Sequence, residues 1–148
     1  MVTKSKNLIY HLFLAFGLAL VWTWFSNGQY LYNHHFPIFL GLNLFPLIGW
    51  TIGFLVLYSI YSLVIFQFGL KSFGAKLLFI CFLYWPTVIV IETIGYYWFD
   101  IHNLGAASYP GLPVCNCLHA PVWMQIGYFV LGPIYLILCE LLRLEKKN

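Results

Sequence analysis

Glu92, Asp100 and His102 are the residues of this chain best suited to proton chemistry. Glu92 stands in "VIVIETIGYYW", an otherwise apolar run, and Asp100 and His102 follow shortly after it. A carboxylate in such a run is expensive to keep charged, so it should face a protein interior and be paired or protonated. A protonated carboxyl can donate to an apolar substrate, and a nearby imidazole or carboxylate can act as the complementary base. The competing reading is a neutral Glu92 that holds two helices together by a hydrogen bond.

A second group of reactive types lies in "YPGLPVCNCLHAP", residues 109–121. Cys115, Cys117 and His119 alternate, so an extended segment would turn all three to one side. With His102 they make a candidate metal set, for zinc or for copper. A C-x-C pair departs from the usual C-x2–4-C zinc spacing. In an oxidising compartment the two thiols could form a disulfide or exchange with a partner thiol. The third reading is a loop held by Pro110, Gly111, Pro113 and Pro121, able to fold back as a lid. All three readings stay open at this point.

The elements that must position these groups follow from composition. Of 148 residues, 62% are hydrophobic and only 7% charged. A soluble domain needs far more charge to cover its surface. Four apolar runs reach the roughly 20 residues needed to cross a bilayer: 8–26, 42–68, 74–98 and 121–142. The expected fold is all-α, a four-transmembrane-helix bundle in one integral membrane domain over 1–148, with two outward-facing polar loops, 27–41 and 99–120. The first run lacks a small-residue cleavage site, so it reads as a retained helix rather than a signal peptide.

Charge sets the expected orientation. Lys4 and Lys6 precede the first run, Lys71 and Lys76 separate the second and third, and Arg143, Lys146 and Lys147 follow the fourth. With four crossings all seven fall on one side, which predicts cytoplasmic termini and outer or lumenal loops. Trp22, Trp24, Phe25, Tyr96, Tyr97, Trp98, Phe99 and Trp123 gather at the outer edge as an interfacial aromatic belt. His34, His35 and Asn33 join the outer polar residues, whereas His11, Cys81 and Cys139 fall in the helices towards the inner side. Ala15/Ala19 and Gly49/Gly53 are small-residue steps that favour close helix packing. Pro86 and Pro133 interrupt the third and fourth helices, freeing the carbonyls of Phe82 and Phe129. Glu140 reads as an interfacial partner of Arg143.

These features point to a small membrane enzyme acting on an apolar or lipid-like substrate near the outer face, with or without a metal. Glu92, Asp100 and His102 are its expected catalytic residues. The alternative is a non-catalytic subunit, or a cofactor- or metal-binding component, of a larger membrane complex. A monomeric channel is poorly served, because the inner halves of the helices carry almost no polar path. The expected partners are membrane lipids, a lipid-like substrate, and another membrane protein or a second copy of the chain. Nucleic acid is not expected, since no cluster of cations could track phosphates.

Overall fold

The computed structural model describes residues 2–142, with side chains from Leu8 onward. The cations Arg143, Lys146 and Lys147 and the side chains of Lys4 and Lys6 lie outside the described residues. Four long helices form: α1 (Val2–Phe25), α2 (Leu44–Phe68), α3 (Phe73–Tyr97) and α4 (Val122–Leu141). Each contains a stretch long and apolar enough to cross a membrane. In lipid a helix satisfies its backbone groups internally, so runs of this length and composition fold in this way. The protein is an all-α, multi-pass membrane protein. The helices begin and end within two residues of the predicted runs, except that α1 starts at Val2.

Local chemistry sets the helix ends. The Asn43 side chain caps α2 by accepting from the Phe45 amide at 3.0 Å. Gly69, with φ of 60°, closes α2 in the left-handed conformation that a glycine adopts without strain. Ser72 then caps α3, accepting from the Ala75 amide at 3.2 Å. The α2–α3 connection is therefore short. The other two connections are long and meet at the opposite, loop end of the bundle. One contains a two-residue antiparallel hairpin, β1 (Ile38–Phe39) with β2 (Leu42–Asn43), which was not foreseen. Its turn places Leu40 and Gly41 at positive φ, as tight hairpins require.

Helix packing is uneven. α1 lies along α2, and its Ala15 and Ala19 are fully buried. α3 lies along α4, where two interhelical bonds meet the backbone around Pro133. Pro133 cannot donate to Phe129, and the Trp85 indole of α3 bonds that freed carbonyl at 3.0 Å. The Tyr84 hydroxyl donates to the Tyr128 carbonyl at 2.7 Å, its ring lying where a Cβ on Gly132 would stand. Contact between α2 and α3 is sparse by comparison. The Gly49/Gly53 step lies in α2, yet no atom approaches within 4 Å of where their Cβ atoms would be. It is therefore not a packing seam within this chain, as the sequence had suggested.

At the end away from the loops, the Tyr61 hydroxyl of α2 donates to Glu140 Oε1 of α4. Lys76 of α3 reaches the same oxygen at 3.1 Å. Glu140 is thus answered by two other helices, and its expected partner Arg143 lies outside the described residues. His11 is buried, its ring tilted 30° against that of Tyr58 with centroids 3.7 Å apart, and its Nδ1 is 3.6 Å from the Cys139 sulfur.

At the loop end, Trp22 leaves the expected belt for the interior. Its ring meets Trp50, Trp123 and Tyr128 edge-on. Trp24, Phe25, Trp98 and Phe99 remain exposed. Buried Tyr30 is the polar centre of this aromatic group. Its hydroxyl accepts the Trp22 indole at 2.7 Å and the Trp50 indole at 3.2 Å. With both lone pairs used, its own proton faces the Tyr128 oxygen, in a long contact of 3.4 Å. Burial, the largest cause, pushes the Tyr30 phenol up to about 12.

Tyr30→Phe would strand two indole donors. It should cost about 1–3 kcal/mol in thermal unfolding of the detergent-solubilised protein, and an unchanged melting temperature would contradict this. The neutral phenol is favoured by the fold. Its contribution is therefore complete below about pH 10 and fades as pH rises through about 12. Tyrosinate absorbance followed against stability should show that window in the wild type and not in Tyr30→Phe.

Candidate functional site

The two long connections are stitched together before they meet the helices. Asn33 is the main stitch. Its amide nitrogen donates to the Asp100 carbonyl at 2.7 Å, and its amide oxygen accepts the His102 backbone N–H at 2.7 Å. The Asn33 backbone N–H donates to the His102 carbonyl at 3.0 Å. His34 Nε2 lies 2.9 Å from the Asp100 carbonyl. Tyr32 and Asn103 pair as an isolated bridge beside them. These bonds fix His102, whose Nε2 sits 2.8 Å from Asp100 Oδ1 and whose ring meets Tyr96 edge-on at 4.0 Å. Asp100 itself takes a positive φ of 52°.

Below this stitch lie two adjoining cavities. A polar one of about 180 Å³ is lined by Glu92, His102, Asn103, His119 and the rings of Tyr32, Phe45, Tyr96 and Tyr128. An apolar one of about 290 Å³ runs between α2 and α3, along Gly49, Gly53, Phe54, Leu57, Ile80 and Leu83. It occupies the sparse α2–α3 seam, and its wall residues Val56, Ile60 and Ile91 are exposed on the membrane-facing surface. Glu92, Tyr128, Tyr32, Phe45 and Ile91 line both cavities. Glu92 is half-buried there, and among the described residues its carboxyl has no hydrogen-bond or ion-pair partner. The Asn103 side-chain oxygen is buried and also without a partner among the described residues. Burial raises the Tyr32 phenol well above its ordinary range, with the nearby Tyr30 and Glu92 adding to it.

Glu92 and His102 therefore line one cavity. Asp100 does not line it. Its side chain is largely exposed and reaches the cavity only through His102. The residues that sequence reasoning missed are the tyrosines. Tyr96 had been assigned to the interfacial belt, and Tyr32 and Tyr128 had no assigned role. Their convergence depends on contacts between residues some seventy to a hundred positions apart (Asn33 with His102, Tyr30 with Tyr128), which no local pattern encodes.

The "CNCLH" segment is not extended. Asn116 and Leu118 take positive φ, and the chain turns so that the Leu112 N–H bonds the Cys117 carbonyl at 2.8 Å. Cys115 and Cys117 are joined as a disulfide, and Cys81 and Cys139 are thiols. His119 places Nδ1 2.8 Å from the Tyr109 carbonyl and Nε2 3.2 Å from that of Asn116. Gln125 of α4 donates to the Pro110 and Ala120 carbonyls at 2.8 and 3.0 Å. Leu118, His119 and Ala120 thereby form part of the polar cavity's wall. In this arrangement His102, Cys115, Cys117 and His119 do not form a ligand shell. Among the described residues no three His, Cys, Asp or Glu side chains converge on a point that could hold a metal ion.

Compared with known protein families, with characterised proteins and with solved structures, the chain matches none.

The denatured, unreduced protein should show two free thiols, rising to four after reduction. Four thiols without reductant, or stoichiometric zinc or copper in the unreduced protein, would contradict the disulfide-closed loop.

Proposed function

We propose that the protein is a small membrane enzyme that acts on an apolar, chain-like substrate by acid–base chemistry. Glu92 donates the proton. His102, held by Asp100, is the complementary base, and Asp100 acts as a positioning residue. The observation that carries this reading is the place of the Glu92 carboxyl, unpartnered where a membrane-side apolar cavity meets a polar one. A carboxyl placed only to hold helices together would be bonded across the bundle, as Glu140 is. A partner-binding subunit would be expected to close the α2–α3 seam instead of leaving a cavity there. A zinc or copper ion at His102, Cys115, Cys117 and His119 would belong to a reduced state, in which the two thiolates are free.

The apolar cavity lies at helix depth, so the substrate enters from the bilayer, and the chemistry takes place towards the loop end. We place that end outside the cytoplasm or in a lumen, because the sequence puts every cation at the other end. After reduction in intact cells, a membrane-impermeant maleimide should label Cys115. Labelling only after permeabilisation would reverse the orientation.

The catalytic reading is tested by comparing the lipids of membranes that carry the wild type with those that carry Glu92→Gln. A lipid change that depends on the wild type should fall about 100-fold or more in the variant, within the range for loss of a general acid. Equal conversion by Glu92→Gln at equal protein level would refute it.

A further inference from the structure

We infer that the substrate is an uncharged chain carrying an electron-rich, branched carbon–carbon double bond, and that its reaction passes through a positively charged carbon beside Glu92. This rests on the enzyme reading above and names its substrate class.

The first support is what the cavities lack. No Lys or Arg occurs from residue 7 to 70 or from 77 to 142, the stretches that build both cavities. Lys76 stands at the opposite end of the bundle, bonded to Glu140. A phosphate or carboxylate headgroup would enter next to Glu92 and the phenols of Tyr32, Tyr96 and Tyr128 with no cation to receive it. The lining of the polar cavity also contains no Ser, Thr or Cys. The nearby thiols of Cys115 and Cys117 are spent on each other. Acyl or phosphoryl transfer through a Ser, Thr or Cys intermediate therefore has no nucleophile in that lining.

The second support is what the cavities hold. One carboxyl shares the polar cavity with the rings of Tyr32, Phe45, Tyr96 and Tyr128. Aromatic rings attract a cation through their quadrupole, more strongly when water is excluded. A carboxylate left by proton transfer would attract the same cation in a site of low dielectric. The apolar cavity supplies room for the rest of the chain, with Gly49 and Gly53 leaving the α2 backbone open to it.

The step balances without an oxidant or reductant. The Glu92 O–H bond breaks, and the alkene π pair forms a C–H bond to the less substituted carbon. The more substituted carbon becomes the cation, and Glu92 becomes a carboxylate. His102 then takes a proton from an adjacent carbon, whose C–H pair becomes a new double bond. Alternatively water adds to the cation, with His102 accepting its proton, and a tertiary alcohol results. The proton gained by His102 passes through the polar cavity to restore Glu92.

The test uses the full chain in phosphatidylcholine nanodiscs and three probes of equal chain length. These are N,N-dimethyldodecylamine, whose ammonium stands in for the cation, dodecanol and dodecyl phosphate. Binding is read from tryptophan fluorescence, with each probe's partition into empty nanodiscs subtracted. The amine should bind at least tenfold tighter than dodecanol, and the phosphate should not bind beyond partition. Glu92→Gln should abolish the preference. Tyr96→Leu, which keeps the carboxyl and removes one ring, should reduce it severalfold and serves if the first variant does not fold. Equal binding of amine and alcohol, or tighter binding of the phosphate, overturns the inference. A Glu92-dependent product that is neither an isomer nor a hydrate of an unsaturated chain overturns it too, while the enzyme reading stands. Absence of any Glu92-dependent product removes that reading itself.

Discussion

Inside a bilayer a polar atom must find its partner within the protein or within what the protein encloses. Most of this structure obeys that constraint by local means. The carbonyl that Pro133 releases is taken by Trp85. Glu140 is bonded by Tyr61 and Lys76 from two other helices. The Tyr30 hydroxyl uses all of its bonding capacity on Trp22, Trp50 and Tyr128. Among the described residues the hydroxyls of Thr23 and Tyr135 and the Asn103 side-chain oxygen are buried without a partner, but Glu92 is the acidic group at helix depth whose partner the described residues do not supply. Its surroundings make sense as a place for something that enters.

The uneven packing of the helices produces that place. α1 packs along α2, and α3 is bonded to α4 through Tyr84 and Trp85. The two pairs are tied at one end by the Glu140 cluster and at the other by the stitched loops. Between the ties the α2–α3 seam stays sparse, and the apolar cavity opens there. Rigidity at both ends with an opening between them suits a site that must admit a chain from the membrane yet hold His102 and Asp100 in register.

The architecture was largely legible in the sequence. Four apolar runs define the helices, because lipid leaves a chain of this composition few alternatives, whereas the caps at Asn43, Gly69 and Ser72 are seen in the structure. Glu92 was legible because a lone acid in an apolar run is costly. Asp100 and His102 were legible as alternative bases, but not the contact between them, which the structure adds. The disulfide was one of three readings left open for "CNCLH", and the assumption of an extended strand there was wrong: left-handed Asn116 and Leu118 turn the segment. Gly49 and Gly53 misled for a related reason, since a small-residue step marks where a backbone is accessible without saying whether a helix or a cavity uses it. The tyrosine lining was hidden because it is assembled by loop-to-loop contacts such as Asn33 with His102.

The most direct test of the central claim is chemical. A lipid-soluble carbodiimide reacts with a protonated carboxyl that it can reach from the bilayer, and mass spectrometry of the digested protein locates the adduct. An open α2–α3 seam leading to Glu92 predicts modification at Glu92 in preference to Glu140, whose oxygen is held by Tyr61 and Lys76. It also predicts protection when a long-chain amine fills the cavity. An unmodified Glu92 under conditions that modify Glu140 would show that the carboxyl is not open to the membrane, and would contradict the account.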